Sequence, residues 1–275
     1  MSVADAVRVV EPTSAYAEFD LRRMRRERLA RTRHSLRAHQ LPAALLFDPL
    51  NVWYAVVEGA MPVFNLHVSF RWALVPVESE PVLWEYPESM HLTGAAWSGD
   101  LRAAKGWSFF GSGSNSEADT RAFAAQVARV LSERGLLGEP IGVDRLETAG
   151  HLALAEAGIT MVDAQPAMER ARAIKTPDEL IAIRTNARNC DRAIEEMLGR
   201  MRPGVTENQL WGTLVGTGLQ TGALWCETRL LSSGPRTNPW MQEATHREVQ
   251  DGDLVAFDTD LVGENGYLTD ISRTY

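Results

Sequence analysis

Several features that define other classes of protein are missing from this sequence of 275 residues. It has no run of 18 apolar residues, and its first 20 residues lack a basic segment followed by an apolar one. These absences argue against a membrane span and against a secretory signal. We therefore expect a cytoplasmic protein that does not use a membrane as a partner.

Cysteine is also scarce, with Cys190 and Cys226 as the full complement. The two residues fall on different predicted elements and lack the spacing of a metal site, so we expect both thiols to be reduced. A hydrophobic core must then hold the fold together, and 45% apolar residues supply one of ordinary size.

An excess of positive charge is missing as well, because the net charge is -8. This argues against nucleic acid as the main partner, although segment 21–37, LRRMRRERLARTRHSLR, runs the other way. The segment is either a basic patch for nucleic acid or acidic lipid, or an amphipathic helix with solvated arginines and Leu21, Met24, Leu29 and Leu36 facing inward. We favour the helix, since the whole chain uses arginine in preference to lysine.

The first part of the chain alternates between strand-like and helix-like stretches. Such alternation is typical of an α/β domain in which helices pack on a sheet. We predict helices near 19–39, 116–134 and 148–157, and strands near 43–47, 72–77, 82–86, 140–144 and 160–162.

After about residue 168 the pattern changes to long helices followed by strands. Thr176 precedes a proline and two acidic residues, which is a helix start, and apolar residues then recur at Leu180, Ile183, Ala187, Ile194 and Leu198. We predict a second helix near 206–220, strands near 228–232, 254–261 and 267–275, and a domain boundary that divides the chain into 1–168 and 169–275.

Three aspartates crowd one predicted hairpin near the end of the sequence. Asp258 and Asp260 lie two residues apart on one strand, so both project from the same face. A three-residue loop ending in Gly266 sets Asp260 opposite Asp270, with side-chain carbons within roughly 5–8 Å of each other. Solvation, a shared proton or a bound cation such as magnesium, manganese, iron or zinc could each relieve the repulsion between these carboxylates.

The hairpin sequence FDTDLVGENGYLTDISRTY, 257–275, resembles the metal-binding hairpin of the pita-bread superfamily, which includes aminopeptidase P, prolidase, creatinase and methionine aminopeptidase. Segment 171–184, ARAIKTPDELIAIR, is similar to the opening of the catalytic domain in the creatinase and aminopeptidase P branch. The resemblance implies a creatinase N-terminal-like α/β domain over 1–168. An incomplete α+β pita-bread catalytic domain, its first half, then covers 169–275.

Two departures from the peptidases of that superfamily bear on the branch. Those peptidases usually read Asp-x-Gly on the first hairpin strand and carry a substrate-contacting histidine about one strand earlier. Here Asp260 replaces the glycine, the earlier stretch 233–243 reads SGPRTNPWMQE, and the nearest histidine is His246. With WCETRLLSSGPRTNPW, 225–240, and FDPLN, 47–51, the sequence looks closest to the dimethylsulfoniopropionate lyases of the superfamily.

The lyase resemblance implies that Asp258, Asp260 and Asp270 are ligands of a divalent metal, which could be iron, zinc or manganese in a single-metal or two-metal site. It also implies cleavage of dimethylsulfoniopropionate, a small molecule, into dimethyl sulfide and acrylate. A sulfonium is a cation that aromatic rings can hold. The candidates for a substrate pocket are Trp53, Tyr54, Trp225 and Trp240.

In the superfamily the other metal ligands, a histidine and two glutamates, and the base of the lyase branch follow the aspartate hairpin at a distance. Here only 271–275 follow Asp270, so the resemblance places the catalytic residues beyond Tyr275 and implies a C-terminally truncated chain. We expect this polypeptide alone to bind metal weakly and to be inactive, with an open edge along strand 266–275.

Two other functions stay open at this point. One is an Xaa-Pro dipeptidase or aminopeptidase P-like metallopeptidase, and the other is a non-catalytic pita-bread protein that acts as a binding module. Relatives of all three kinds usually form homodimers, so the resemblance implies a homodimer.

Overall fold

A computed structural model describes residues 20–57, 61–97, 99–263 and 265–275. The described chain folds into two compact units, Asp20–Thr176 and Pro177–Tyr275. The division between them falls later than residue 168, which lies inside a helix of the first unit. In the described ranges, no helix is long and apolar enough to cross a membrane.

The first unit is a sheet with helices around it, as the alternation of the sequence predicts. Its strands have the order β4-β3-β2-β1-β5-β6 in the sheet. They are β1 (Ala43–Leu46), β2 (Trp72–Pro76), β3 (Val82–Glu85), β4 (Asp100–Ala103), β5 (Ile141–Val143) and β6 (Met161–Asp163). The helices are α1 (Leu21–Ala38), α2 (Pro49–Ala55), α3 (Pro62–His67), α4 (Met90–Ala96), α5 (Phe109–Ser112), α6 (Ser116–Glu133), α7 (Thr148–Glu156) and α8 (Gln165–Ala173).

Aromatic side chains fill the core on one side of this sheet. Trp72 and Trp84 stack with ring centroids 6.0 Å apart, and Trp107 stacks on Phe123 at 3.9 Å. Phe47 packs edge-on against Trp107, and all five side chains are at most 3% exposed. Because strands β1 and β2 are buried along their whole length, they read as continuous apolar runs rather than as alternating ones, and β3 is apolar up to Glu85, which pairs with Arg71.

Helix α1 is amphipathic, as segment 21–37 predicts, and buries Met24 and Leu36. The expectation that all of its arginines are solvated is wrong. Arg28 is 1% exposed, and its guanidinium lies 5.4 Å from the ring centroid of Tyr54, a distance at which the ring attracts a cation. Arg33 donates hydrogen bonds to the carbonyl oxygens of Pro76 and Ser79. The basic segment is therefore used for packing within the first unit.

The second unit packs two helices against an antiparallel sheet. Strand β9 pairs with β10 along one edge and with β7 and β8 along the other. The elements are α9 (Pro177–Leu198), α10 (Glu207–Gln220), β7 (Ala223–Cys226), β8 (Leu231–Ser233), β9 (Val255–Gly263) and β10 (Leu268–Thr274). Helix α10 opens with a capping box between Thr206 and Gln209, which fixes its first turn.

The buried face of α9 matches the apolar residues of the sequence in part. Ile194 is buried as predicted, but Leu180 is 40% exposed, and Ala182, Cys190 and Met197 are buried as well. Cys190 lies against β9, where its sulfur is 3.4 Å from Thr259 Oγ1. Both Cys190 and Cys226 are free thiols, as predicted.

Candidate functional site

The β9–β10 hairpin has the register that the sequence predicts. Asp260 lies directly opposite Asp270, and Asp258 lies opposite Ser272. The turn closes with a hydrogen bond of 2.9 Å from the Gly263 amide to the Tyr267 carbonyl, and Gly266 has a φ of 75°, in the left-handed region that glycine tolerates. The odd-length loop therefore brings the three aspartates to one face, the opposing pair directly and Asp258 diagonally.

The two faces of the hairpin have opposite character. Phe257, Thr259 and Leu261 are at most 2% exposed and lie on the face that packs beneath α9 and α10. Asp258 and Asp260 alternate with them and are half-buried on the other face. We call this second face, defined by Asp258, Asp260 and Asp270, the carboxylate face.

Neighbouring hydroxyls fix two of the carboxylates. Thr228 Oγ1 donates to Asp260 Oδ2 over 2.5 Å, and Ser272 Oγ donates to Asp258 Oδ1 over 2.8 Å. Each hydroxyl holds one named oxygen of its carboxylate. Such hydrogen bonds orient a carboxylate that is to act as a ligand.

Asp260 is the electrostatic centre of the carboxylate face. Burial raises the pKa of its carboxyl, the hydrogen bond from Thr228 opposes that effect, and the charges of Asp258, Asp270 and Glu227 raise the pKa further. The ionised form of Asp260 is thus disfavoured by its surroundings, and a nearby cation would relieve this cost.

The donor set fits a hard or borderline divalent metal in its chemistry, since it consists of carboxylates. The fit in geometry is partial. Among residues 20–57, 61–97, 99–263 and 265–275, no three His, Cys, Asp or Glu side chains are gathered closely enough to hold a metal ion. The hairpin therefore contributes carboxylate donors without forming a complete metal site within the described part of the chain.

The predicted pocket residues fall in different units. Trp53 and Tyr54 lie in the core of the first unit, 4% and 6% exposed, and the Tyr54 hydroxyl donates to the carbonyl of Ala171. Trp225 and Trp240 belong to the second unit. Trp225 is half-buried on β7 beside β9, and Trp240 is 36% exposed in the segment between β8 and β9.

Sequence reasoning missed Glu227, which is the neighbour of the carboxylate face. Its amide donates to the Asp260 carbonyl over 3.0 Å, so the pairing of β7 with β9 continues to this residue. The indole N–H of Trp225 donates to Glu227 Oε1 over 2.8 Å. The signal was the spacing of Trp225 and Glu227 in WCE, which puts both side chains on one strand face.

Glu207 was also missed, because a glutamate in the first turn of a helix is usually exposed. Here it has no exposed area and accepts hydrogen bonds from the amides and hydroxyls of Ser233 and Thr245, at 2.7–2.9 Å. Arg236 forms an ion pair with Oε2, the carboxylate oxygen that also accepts from Thr245. Glu207 thus anchors both ends of segment 233–245, which carries Trp240.

Comparison with known proteins agrees with these features. Residues 182–275 match the family described as Metallopeptidase family M24. The chain is 34% identical over 269 residues to the dimethylsulfoniopropionate lyase DddP of Roseovarius nubinhibens, a match that covers 96% of this chain and 60% of that protein. It is 35% identical over 262 residues to the lyase of the same name from Roseobacter denitrificans, covering 93% and 59%. The chain thus spans about 60% of the length of the curated relatives that it matches.

Solved structures of lower identity show the fold. An Xaa-Pro dipeptidase from Bacillus anthracis superposes with a TM-score of 0.72 at 20% identity, covering 90% of this chain and 64% of that one. A prolidase from Pyrococcus furiosus superposes with a TM-score of 0.69 at 17% identity, covering 90% and 70%. The predicted fold class is confirmed, an α/β N-terminal domain followed by part of a pita-bread domain.

Proposed function

Because residues 182–275 match the model of metallopeptidase family M24 and nearly the whole chain is similar to two dimethylsulfoniopropionate lyases, we propose that the second unit supplies part of a metal-dependent lyase site. The substrate would be dimethylsulfoniopropionate, and the products dimethyl sulfide and acrylate. The observation that carries the proposal is the carboxylate face, on which Asp260 opposes Asp270 where the related peptidases usually have a glycine in place of Asp260.

The residues that would hold the metal are Asp258, Asp260 and Asp270. A divalent ion bound there, whether iron, zinc or manganese, would act as a Lewis acid toward the substrate carboxylate. Thr228 and Ser272 hold one oxygen of Asp260 and Asp258 respectively. They leave the second oxygen of each carboxylate as the natural donor to a cation.

The reaction itself is an elimination. A base removes a proton from the carbon next to the carboxylate, a carbon–carbon double bond forms, and the carbon–sulfur bond breaks with its electron pair leaving on sulfur. The described residues do not identify the base. Aromatic side chains would hold the sulfonium, and Trp225 is the candidate with a position beside the carboxylate face, because it pairs with Val262 on β9.

A second candidate function is an Xaa-Pro peptidase, since the solved structures that superpose on the chain include an Xaa-Pro dipeptidase and prolidases. Identities of 20% and 17% to those structures support the fold alone. Asp260 and the absence of a histidine in 233–243 weigh against this function. A non-catalytic binding protein of the same fold is a third candidate.

We also propose that the protein is a cytoplasmic homodimer that acts on a small molecule.

The test is a substrate comparison. The chain, and a protein extended to the full length of the lyase relatives, are each supplied with manganese, iron or zinc and incubated with dimethylsulfoniopropionate or with an Xaa-Pro dipeptide. We expect dimethyl sulfide, detected by gas chromatography, from the extended protein and no proline release. Consumption of the dipeptide alone would show that the lyase assignment is wrong, and inertness toward both substrates with intact metal binding would favour the binding protein.

A further inference from the structure

Strand β7 adds a second row of side chains to the carboxylate face. Trp225 lies opposite Val262, and the amide of Glu227 bonds to the Asp260 carbonyl, which places Glu227 opposite Asp260. Opposed residues in antiparallel strands share a face. Trp225 and Glu227 therefore stand on the same side of the sheet as the aspartates, while Cys226 between them pairs with Leu261 on the helix side.

Trp225 and Glu227 are joined to each other as well as to the hairpin. The Trp225 indole N–H donates to Glu227 Oε1 over 2.8 Å, a distance typical of a charge-assisted hydrogen bond. Trp225 is half-buried and Glu227 is exposed. This hydrogen bond restricts the rotation of the indole ring and holds the Glu227 carboxylate beside it.

This pair has the chemistry of a cation subsite. An onium group such as a sulfonium or a quaternary ammonium carries no N–H or O–H donor, so it is recognised by ring quadrupoles and by unpaired negative charge rather than by hydrogen bonds. The Trp225 indole supplies the ring quadrupole, and the Glu227 carboxylate supplies the negative charge. An anionic or neutral group would gain nothing from Glu227, which makes the residue a selector of charge.

The spacing suits a substrate with a carboxylate at one end and an onium group at the other. Diagonal neighbours on adjacent antiparallel strands are about 7–8 Å apart. Trp225 is such a neighbour of Asp260, because it opposes Val262, two residues along β9. One short three-carbon chain could thus place its carboxylate toward the aspartates and its onium group toward Trp225.

We propose that Trp225 and Glu227 form the subsite for the onium group of the substrate, with Glu227 as a specificity-determining residue that selects positive charge and orients the indole ring. The inference rests on the proposed function, since it takes the carboxylate face as the other half of the site. It assigns the sulfonium to Trp225, one of the four aromatic candidates, and adds Glu227 to the site.

Two isosteric ligands test the inference on the protein extended to the full length of the lyase relatives, with manganese present. The first is 3-(trimethylammonio)propionate, which carries an onium group, and the second is 4,4-dimethylpentanoate, whose tail has the same shape without the charge. Binding is measured by titration calorimetry and by the indole N–H signal of Trp225 in nuclear magnetic resonance, assigned through its loss in Trp225→Phe. We expect the onium ligand to bind about tenfold more tightly, in line with a partly buried cation–π contact.

The variants separate charge from shape. Glu227→Gln should remove most of the preference for the onium ligand, and Trp225→Leu should remove it together with most of the binding. Glu196→Gln, which removes an exposed carboxylate on α9, is the matched control and should leave the preference unchanged. Equal binding of the two ligands, no binding of either, or a preference that survives Glu227→Gln would each overturn the inference.

Its failure can be told apart from failure of the proposed function. If the onium preference depends on Glu227 while no protein of this type releases dimethyl sulfide, the subsite stands and the lyase function fails. If dimethyl sulfide is released at the same rate and with the same substrate KM by Glu227→Gln in the extended protein, the function stands and the subsite fails.

Discussion

At the residue scale, two hydroxyls determine which oxygens of the carboxylate face remain available. Thr228 engages Asp260 Oδ2, and Ser272 engages Asp258 Oδ1. These hydrogen bonds restrict the side-chain rotamers of Asp260 and Asp258, whose backbone is already ordered by the pairing of β9 with β10. Loss of either hydroxyl frees the carboxylate to turn toward solvent, where it is a poorer ligand.

We therefore predict that Thr228→Val and Ser272→Ala each weaken manganese binding by roughly tenfold, the usual size of an effect transmitted through a ligand's hydrogen-bond partner. Thr228→Ser keeps the hydroxyl and should restore the affinity. Electron paramagnetic resonance of free manganese gives the dissociation constants. The control is Thr274→Val, at an exposed position on the same strand as Ser272. An equal loss of affinity in that variant would show that the effect is not specific to the hydroxyls that hold the aspartates.

Glu207 also acts at the residue scale, through stability. Burial pushes the pKa of its carboxyl up, but hydrogen bonds from Thr245, Ser233 and Arg236 outweigh burial and hold the pKa below its usual value. A carboxyl with a lowered folded-state pKa stabilises the fold above its unfolded-state pKa. That stabilisation is lost as the pH falls through the folded-state value.

Glu207→Gln should lower the free energy of unfolding of the second unit by about 3 kcal/mol at pH 7, because it leaves Arg236 and the donors of Ser233 and Thr245 without their charged acceptor. The difference from the parent should shrink once the pH falls below the usual glutamate range. Urea unfolding at both pH values measures it. Glu243→Gln breaks only an exposed pair with Arg229 and should cost less than about 1 kcal/mol; a similar loss in both variants would refute the buried role of Glu207.

At the element scale, α10 presents glycines to two different environments. A side chain at Gly218 would meet Leu261 of β9 at 2.8 Å, so the absence of a Cβ lets the helix approach the sheet. Gly212 and Gly216 face open space. The same substitution should therefore have opposite effects along a single helix.

Gly218→Ala should destabilise the second unit by about 1–3 kcal/mol, because Leu261 is buried and has little room to move. Gly212→Ala and Gly216→Ala should each stabilise it by up to about 1 kcal/mol through the helix propensity of alanine. Thermal unfolding of the three variants in parallel gives the comparison. Stabilisation by Gly218→Ala would mean that α10 lies farther from β9 than described.

Local signals explain which elements the sequence reveals. Alternation and an odd-length turn predict the register of β9 and β10, since both are set by residues close in the chain. Short helices such as α2, α3 and α4 escape prediction because they span six or seven residues and depend on the rest of the unit. Strand β7 escapes because a register irregularity between Ala223 and Trp225 breaks its alternation.

The candidate site follows the same division. The three aspartates are predictable because they share one hairpin. Glu227 and Thr228 contact Asp260 only because β7 pairs with β9. Thr228 and Asp260, for example, lie more than 30 positions apart in the sequence. Glu207 accepts hydrogen bonds from Ser233 and Thr245, which lie far along the chain, and no local sequence pattern predicts these contacts.

At the scale of the whole molecule, the candidate ligands are few. The described ranges contain three aspartates on one face and no gathered group of three metal-binding side chains. A divalent ion held by two or three carboxylates with partial burial is exchanged readily. We therefore predict that the 275-residue chain binds manganese, iron or zinc weakly and shows no lyase turnover by itself.

Metal analysis after desalting checks this prediction, and we expect well under one ion per chain. Asp260→Asn should reduce the metal content further, whereas Asp251→Asn, at an exposed turn before β9, should not. One tightly held ion per chain together with release of dimethyl sulfide would show that the described residues suffice for the site.

The stacked indoles of the first unit have an optical consequence. Trp72 and Trp84 lie 6.0 Å apart at an angle of 23°, close enough for their electronic transitions to couple and to produce a circular dichroism couplet in the ultraviolet. The second unit contains Trp211, Trp225 and Trp240 instead, away from that stack in sequence. Loss of the couplet during heating would therefore report the unfolding of the first unit alone. A spectrum recorded without any label could then follow the unfolding of the two units separately.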